Sequence, residues 1–177
     1  MSNLRLINET TAIAGVSSFN IENVFSADYD IYCLTLQSNG NVAGAFDVNT
    51  RFINSSGSVL SDSSYDKASL IMWYNRAFNE SRVTNATVLG AFLGTTDDLP
   101  ESSSGVAWVF NPYSASSYTF AIRQQFGNWF NAGNFESASR KGIYVYKQTT
   151  QITGYQHSGG VFADNTIART YGLKVDS

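Results

Sequence analysis

The sequence holds one cysteine, one histidine and two prolines in 177 residues, and only 14% of its side chains are charged. Each scarcity excludes something. A single cysteine, Cys33, forbids an intrachain disulfide, and its neighbours Tyr32 and Leu34 mark it as a small buried hydrophobe rather than a reactive thiol. A single histidine leaves His157 as the one imidazole available for acid–base chemistry. It stands in Gln156-His157-Ser158-Gly159-Gly160, which reads as an exposed turn with no triad partner at any recognisable spacing. One Cys and one His cannot furnish a conventional zinc site. Neither a dinucleotide fingerprint nor a Walker-type phosphate loop occurs. The 11 basic and 14 acidic side chains are scattered, giving a net charge of -3 without the basic stripe that nucleic-acid binding requires. No apolar run approaches the roughly 20 residues of a spanning helix. Met1-Ser2-Asn3-Leu4-Arg5 lacks the basic start and apolar stretch of a secretory signal, so synthesis in the cytoplasm is expected. There are no heptads and no fixed-period repeat, hence no fibre shaft. No catalytic, cofactor or metal residue is assigned, and an enzyme is not expected.

What fills the gap is uncharged polarity. The chain has 23 Ser, 14 Thr and 16 Asn, and aromatics reach 14%. That aromatic content rules out global disorder. Tyr, Phe and Thr suit a pleated surface, while Asn, Ser and Gly build turns, so the composition predicts an all-β domain. The length predicts one domain over 17–177, an antiparallel β-sandwich, preceded by a short N-terminal arm over 1–16.

Period-two alternation supports this. Phe19, Ile21, Asn23 and Phe25 share a face; so do Tyr118, Phe120, Ile122, Gln124 and Phe126, and so do Ile167, Arg169, Tyr171, Leu173 and Val175. Alternation means one buried and one wet face, and the apolar sets are expected inside. Thr119, Ala121 and Arg123 are then expected to face away from the core. Apolar runs at 31–36, 106–110 and 143–146 read as central strands. Residues 67–78 carry both helical spacing and a possible strand over 68–74, and the strand is preferred. Asn39-Gly40 is a hairpin signal.

The candidate sites are few. Asp28 and Asp30 flank Tyr29 and could share a strand face toward a cation, but a solvated turn is the simpler expectation. Asp97-Asp98 before Leu99-Pro100 reads as a turn. Sequons at Asn8, Asn54, Asn79 and Asn85 are what chance yields in a chain so rich in Asn, Ser and Thr. Three aromatics carry more interest. Trp129, Tyr113 and Trp108 could stack on sugar rings; equally they could lid a sandwich core or be covered by a partner. Leu4, Leu6 and Ile7 need burial, so assembly contacts are expected of the arm.

Two segments resemble a known group. Phe25-Ser26-Ala27-Asp28-Tyr29-Asp30-Ile31-Tyr32 is similar to the "F-S-x-x-Y-D-x-Y" opening of small jelly-roll-like β-sandwich proteins of tailed bacteriophages. Gln151-Ile152-Thr153-Gly154-Tyr155 and the closing Tyr171-Gly172-Leu173-Lys174 resemble that group's ending, as does Gly142-Ile143-Tyr144. The group's frequent "R-x-N-G-D" is replaced here by Thr50-Arg51-Phe52-Ile53-Asn54. The resemblance covers about a third of the chain, in structural rather than catalytic motifs. It implies a virion structural protein, a class that includes capsid decoration proteins, tail-associated modules and fibre tips; with no shaft in the chain, a capsid decoration (cement) protein on the particle exterior, bound to major capsid or tail proteins, is expected, and a homotrimer is expected by analogy with capsid and fibre symmetry. The alternative expectation is a tail-fibre or tail-tip module recognising host glycan.

Overall fold

The structure is a computed structural model. It describes residues 3–12, 14–38, 46–96, 103–131 and 134–174, with the side chains of 94–96, 129–131 and 134–136 excepted. Twelve strands are present among these residues: β1 (Leu4–Thr11), β2 (Ser18–Ile21), β3 (Ile31–Ser38), β4 (Phe46–Asn54), β5 (Tyr65–Trp73), β6 (Asn79–Ala86), β7 (Leu89–Thr96), β8 (Ser103–Phe110), β9 (Thr119–Asn131), β10 (Asn134–Tyr146), β11 (Ile152–Ser158) and β12 (Ile167–Leu173). No helix among the described residues is long and apolar enough to cross a membrane.

The strands form two antiparallel sheets. The larger has the order β1-β12-β3-β8-β9-β10-β5-β6, the smaller β2-β11-β4-β7. Removing β5, β6, β9 and β10 leaves β1-β12-β3-β8 facing β2-β11-β4-β7. In that set the chain wraps twice between sheets, and first pairs with last: this is the jelly-roll topology. The two inserted hairpins, β5-β6 and β9-β10, widen only the first sheet. It is therefore twice as wide as the second, whose β4 and β7 still pack through Phe52 and Phe92 on Tyr65, Tyr144 and Tyr146 of the inserted strands.

The core lies between the sheets. Phe52, Phe92, Tyr155 and Phe162 come from the small sheet and the segment after β11; Leu34, Leu36, Ala107, Val109 and Ala121 come from the large one. On β8 the small sheet presses close: a Cβ on Gly105 would meet the Leu93 carbonyl oxygen at 2.3 Å, so only glycine fits there. The segments that carry the phage resemblance pack on one another. Tyr32 donates its hydroxyl hydrogen to the Ser26 carbonyl at 2.8 Å and accepts from the Ser26 N–H at 2.7 Å. Phe25 stands edge-on to Tyr32 and stacks on Tyr155, while the Tyr29 ring lies over the bare backbone of Gly172. These motifs are a packing knot that ties the start of β3 to β11 and β12.

Several expectations are corrected. Residues 4–11 are not a free arm. They pair along their length with β12 as an edge strand, and Ile7 packs against the chain's own core. β2 stops at Ile21, and Asn23 turns the chain at φ 56, a conformation Asn tolerates. Residues 65–73 are strand, as preferred above. His157 is no exposed turn residue: it is fully buried on β11, opposite Thr50 of β4 and Phe19 of β2. The Gly-rich turn begins just after it. The alternation of β9 is real but its faces are reversed. Thr119, Ala121, Arg123 and Gln125 are buried, whereas Tyr118, Phe120, Ile122 and Phe126 are 45 to 47% exposed. β12 is likewise reversed, with Ala168 and Thr170 buried inside and Ile167, Tyr171 and Leu173 only half-buried. Ile143, expected in a central run, is 62% exposed. The Asn39-Gly40 and Asp97-Asp98 readings lie outside the described residues.

Candidate binding face of the large sheet

The reversed faces create the candidate site. One register line crosses all eight strands of the large sheet on its outer side: Leu6, Tyr171, Cys33, Trp108, Ile122, Ile143, Ala68 and Arg82. Only the last of these is charged. A neighbouring line runs Leu173, Ile31, Phe110, Phe120 and Val145. The physical reason lies across the sheet. β7 approaches β8 so closely that the inner face there takes Gly105, Ala107 and Ala121, and the bulky side chains have only the outer face left.

The outer face is concave over β8, β9, β10 and β5. A trough of about 760 Å³ is floored by Val106, Trp108, Ile122, Ile143 and Leu70, with Glu80, Arg82, Gln124 and Lys141 along its sides. It continues past Val106 and Gln124 into a second depression of about 570 Å³ bordered by Thr35, Gln37, Phe126 and Arg169. Arg169 is engaged by Glu9 at 2.6 Å. Cys33 lies on this face rather than in the core, is buried between its neighbours, and has its thiol pKa raised by that burial.

The sequence-predicted aromatics are not brought together. Trp108 lies in the trough. Tyr113 follows β8 at the end of the sandwich and packs against the core, which fits a lid. Trp129 stands seven residues beyond Ile122 on β9, about 23 Å away at strand rise, and its side chain lies outside the described residues. Leu4, Leu6 and Ile7 fall on the edge strand, where Leu6 is 56% exposed and joins the outer apolar line. The residues missed from sequence are Ile122, Ile143 and Phe120. Their alternation was visible, but not the side it pointed to.

Acid chemistry has no visible centre. Asp28 is held in the expected turn by Ser26, whose hydroxyl donates to its carboxylate at 3.0 Å. Among the described residues, no three His, Cys, Asp or Glu side chains gather as metal ligands would. His157 uses Nδ1 on the Thr50 hydroxyl at 2.9 Å, and Phe19 and Tyr155 present ring edges to it. Burial pushes its pKa down to about 3, so it is a neutral core residue without solvent access. No protein-family model and no curated protein matches the chain.

Proposed function

We propose that the chain is a non-enzymatic structural protein on the exterior of a bacteriophage particle, decorating the capsid by laying the outer face of its large sheet on other virion proteins. One observation carries this reading: Phe120 and Ile122 at 47% exposure and Ile143 at 62% stand side by side on the outer face, with Phe126 at 47% farther along the same strand. Monomeric soluble proteins seldom expose such a patch without a partner. The surrounding Thr35, Gln37, Gln124, Glu80, Arg82 and Lys141 fit the polar, hydrated rim of a protein interface. Many modest contacts, repeated over neighbouring capsomers, would hold such a protein firmly. The phage resemblance supplies the particle; the jelly roll does not decide it, since capsid and lectin domains share that topology. A homotrimer on the particle is part of the proposal.

The test is to add recombinant protein to particles stripped of it and image them at a resolution that locates the chain. Wild type should occupy the exterior, and Ile122→Asp with Ile143→Asp should not. Occupancy undiminished in the folded double variant would refute the docking face. Light scattering should give the trimer mass; a monomer at high concentration would remove that element.

A second reading is favoured by Trp108 in the trough beside Gln124, Lys141 and Glu80, an aromatic platform with polar neighbours. It makes the trough a host-glycan site. A glycan array with Trp108→Ala as control separates the two.

A further inference from the structure

A second cluster lies on the opposite face of the same strands. Between the two sheets, the inner face of β9, β10 and β5 carries Arg123, Arg140 and Lys67. Arg123 opposes Gly142 and Arg140 opposes Gln125, which makes the two arginines diagonal neighbours; Lys67 opposes Tyr144 on the next strand. Asp47 of β4 accepts from Arg140 Nη1 at 3.0 Å. Lys67 feels Arg123, Arg140 and Asp47, and Arg123 feels Tyr144, Arg140 and Asp47. Among the described residues, three cations against the Asp47 carboxylate leave a formal balance of about +2 in the cluster. Arg123 is only 5% exposed. Charge taken out of water at such a place is costly unless it is paired.

Hydrogen bonding is incomplete at the same spot. Nε of Arg123 and Nε of Arg140 are buried with no protein partner at hydrogen-bond distance, and the Tyr144 hydroxyl meets only the Arg123 guanidinium, in a contact looser than a full hydrogen bond. Tyr144 itself is 3% exposed. Arg123 uses Nη1 on the Gln125 side chain. Lys67 Nζ makes a long 3.4 Å contact to the Gly90 carbonyl, leaving it donors to spare. Buried donors in folded proteins are nearly always satisfied, so two unpartnered guanidinium nitrogens and an under-bonded phenol within one cationic cluster point to a ligand. The Asp47 side chain is 47% exposed, so the cluster borders solvent on that side.

We propose that this cluster binds a small tetrahedral oxyanion, phosphate or sulfate, through Arg123, Arg140, Lys67 and the Tyr144 hydroxyl. A dianion cancels the excess charge, and its oxygens accept from guanidinium, ammonium and phenol donors alike. Asp47 positions Arg140 by fixing its far nitrogen. The site is independent of whatever covers the outer face.

The test begins with wild-type protein exchanged into chloride buffer at fixed ionic strength, then titrated with sodium phosphate or sodium sulfate. Calorimetry should show saturable binding to one site per chain. Tm should rise by about 5–10 °C at one hundred times Kd, with no such rise for added chloride at equal ionic strength. Arg140→Gln should weaken binding at least about tenfold, the loss of one charge-assisted contact. Ile122→Asp, on the outer face, should bind as wild type does. Equal shifts from chloride, absence of saturation, or undiminished affinity in Arg140→Gln would overturn the assignment. None of these measurements needs a variant of the fully buried Arg123.

Discussion

Lowering the pH should unfold this protein through His157. The ring is completely buried, its Nδ1 is bonded to Thr50, its Nε2 has no hydrogen-bond partner, and burial holds its pKa at about 3 against an ordinary value of 6.5. The native state therefore stays neutral at this residue while the unfolded chain takes up a proton below about pH 6.5. The folded pKa is the lower one for a base, so stability is unaffected above pH 6.5 and falls as pH drops from there toward 3. Each pH unit in that window costs about 1.4 kcal/mol. Between pH 7.5 and pH 4.5 the loss attributable to His157 is about 2–3 kcal/mol, a large share of the 5–15 kcal/mol typical of a domain. No discount for solvent screening applies, because the ring is fully enclosed.

Urea denaturation at the two pH values measures this directly, with His157→Gln as the comparison. Glutamine keeps a polar partner for Thr50 and cannot titrate. The variant should be less stable than wild type at pH 7.5, yet lose about 2–3 kcal/mol less on acidification. Carboxylates contribute equally to both proteins and cancel in the difference. Because His157 is the only histidine, its ring signals in a proton NMR titration are unambiguous. They should not move between pH 8 and pH 5. A midpoint near 6.5, or an identical acid sensitivity in wild type and His157→Gln, would refute the burial argument.

Three further outcomes are expected. Tyr65→Phe should cost about 1–3 kcal/mol in denaturant unfolding, because the hydroxyl accepts from the Phe52 N–H at 3.0 Å and donates to the Leu60 carbonyl at 2.9 Å, and both would lose a partner. Gly105→Ala should be destabilised by about 1–3 kcal/mol or more, with a lower Tm by calorimetry, since the new methyl has the Leu93 backbone at 2.3 Å and backbone cannot swing aside. Ile143→Asp alone should leave Tm within about 2–4 °C of wild type, because the side chain is 62% exposed; a collapse of the fold would mean that this face is part of the core.

The sequence revealed the strands better than it revealed their sides. Alternation along 118–126 shows that a strand has two unlike faces, and it does. Which face is covered depends on what packs opposite, and that is set by residues far away in the chain. Here the covering sheet is half as wide as the covered one. Where it reaches, it sits so close that Gly105, Ala107 and Ala121 are what fit, and Trp108 and Ile122 are displaced outward. On β9, β10 and β5 the inner face also carries Arg123, Arg140 and Lys67, which meet the small sheet through Asp47 and the Gly90 carbonyl. The two inserted hairpins thus supply strands to both the greasy exterior and the cationic cluster. Neither could be seen in local patterns: Lys67, Arg123 and Arg140 are far apart in the chain, and Arg123 was expected to face away from the core because it alternates with Phe120, Ile122 and Phe126. His157 misled in a related way. Its two following glycines belong to the turn, but the residue itself is the last inward position of β11, one step before the chain leaves the sheet. The sandwich was legible in strand alternation and turn spacing, while its jelly-roll order entered only through the resemblance. The two proposed binding faces were not legible, because they involve the two hairpins inserted into that order, whose strands join only one of the sheets. If those hairpins make the faces, exchanging β9-β10 for a short turn should abolish oxyanion binding and particle docking together, and because Ala121, Tyr144 and Tyr146 of that hairpin also pack in the core, it should lower Tm as well.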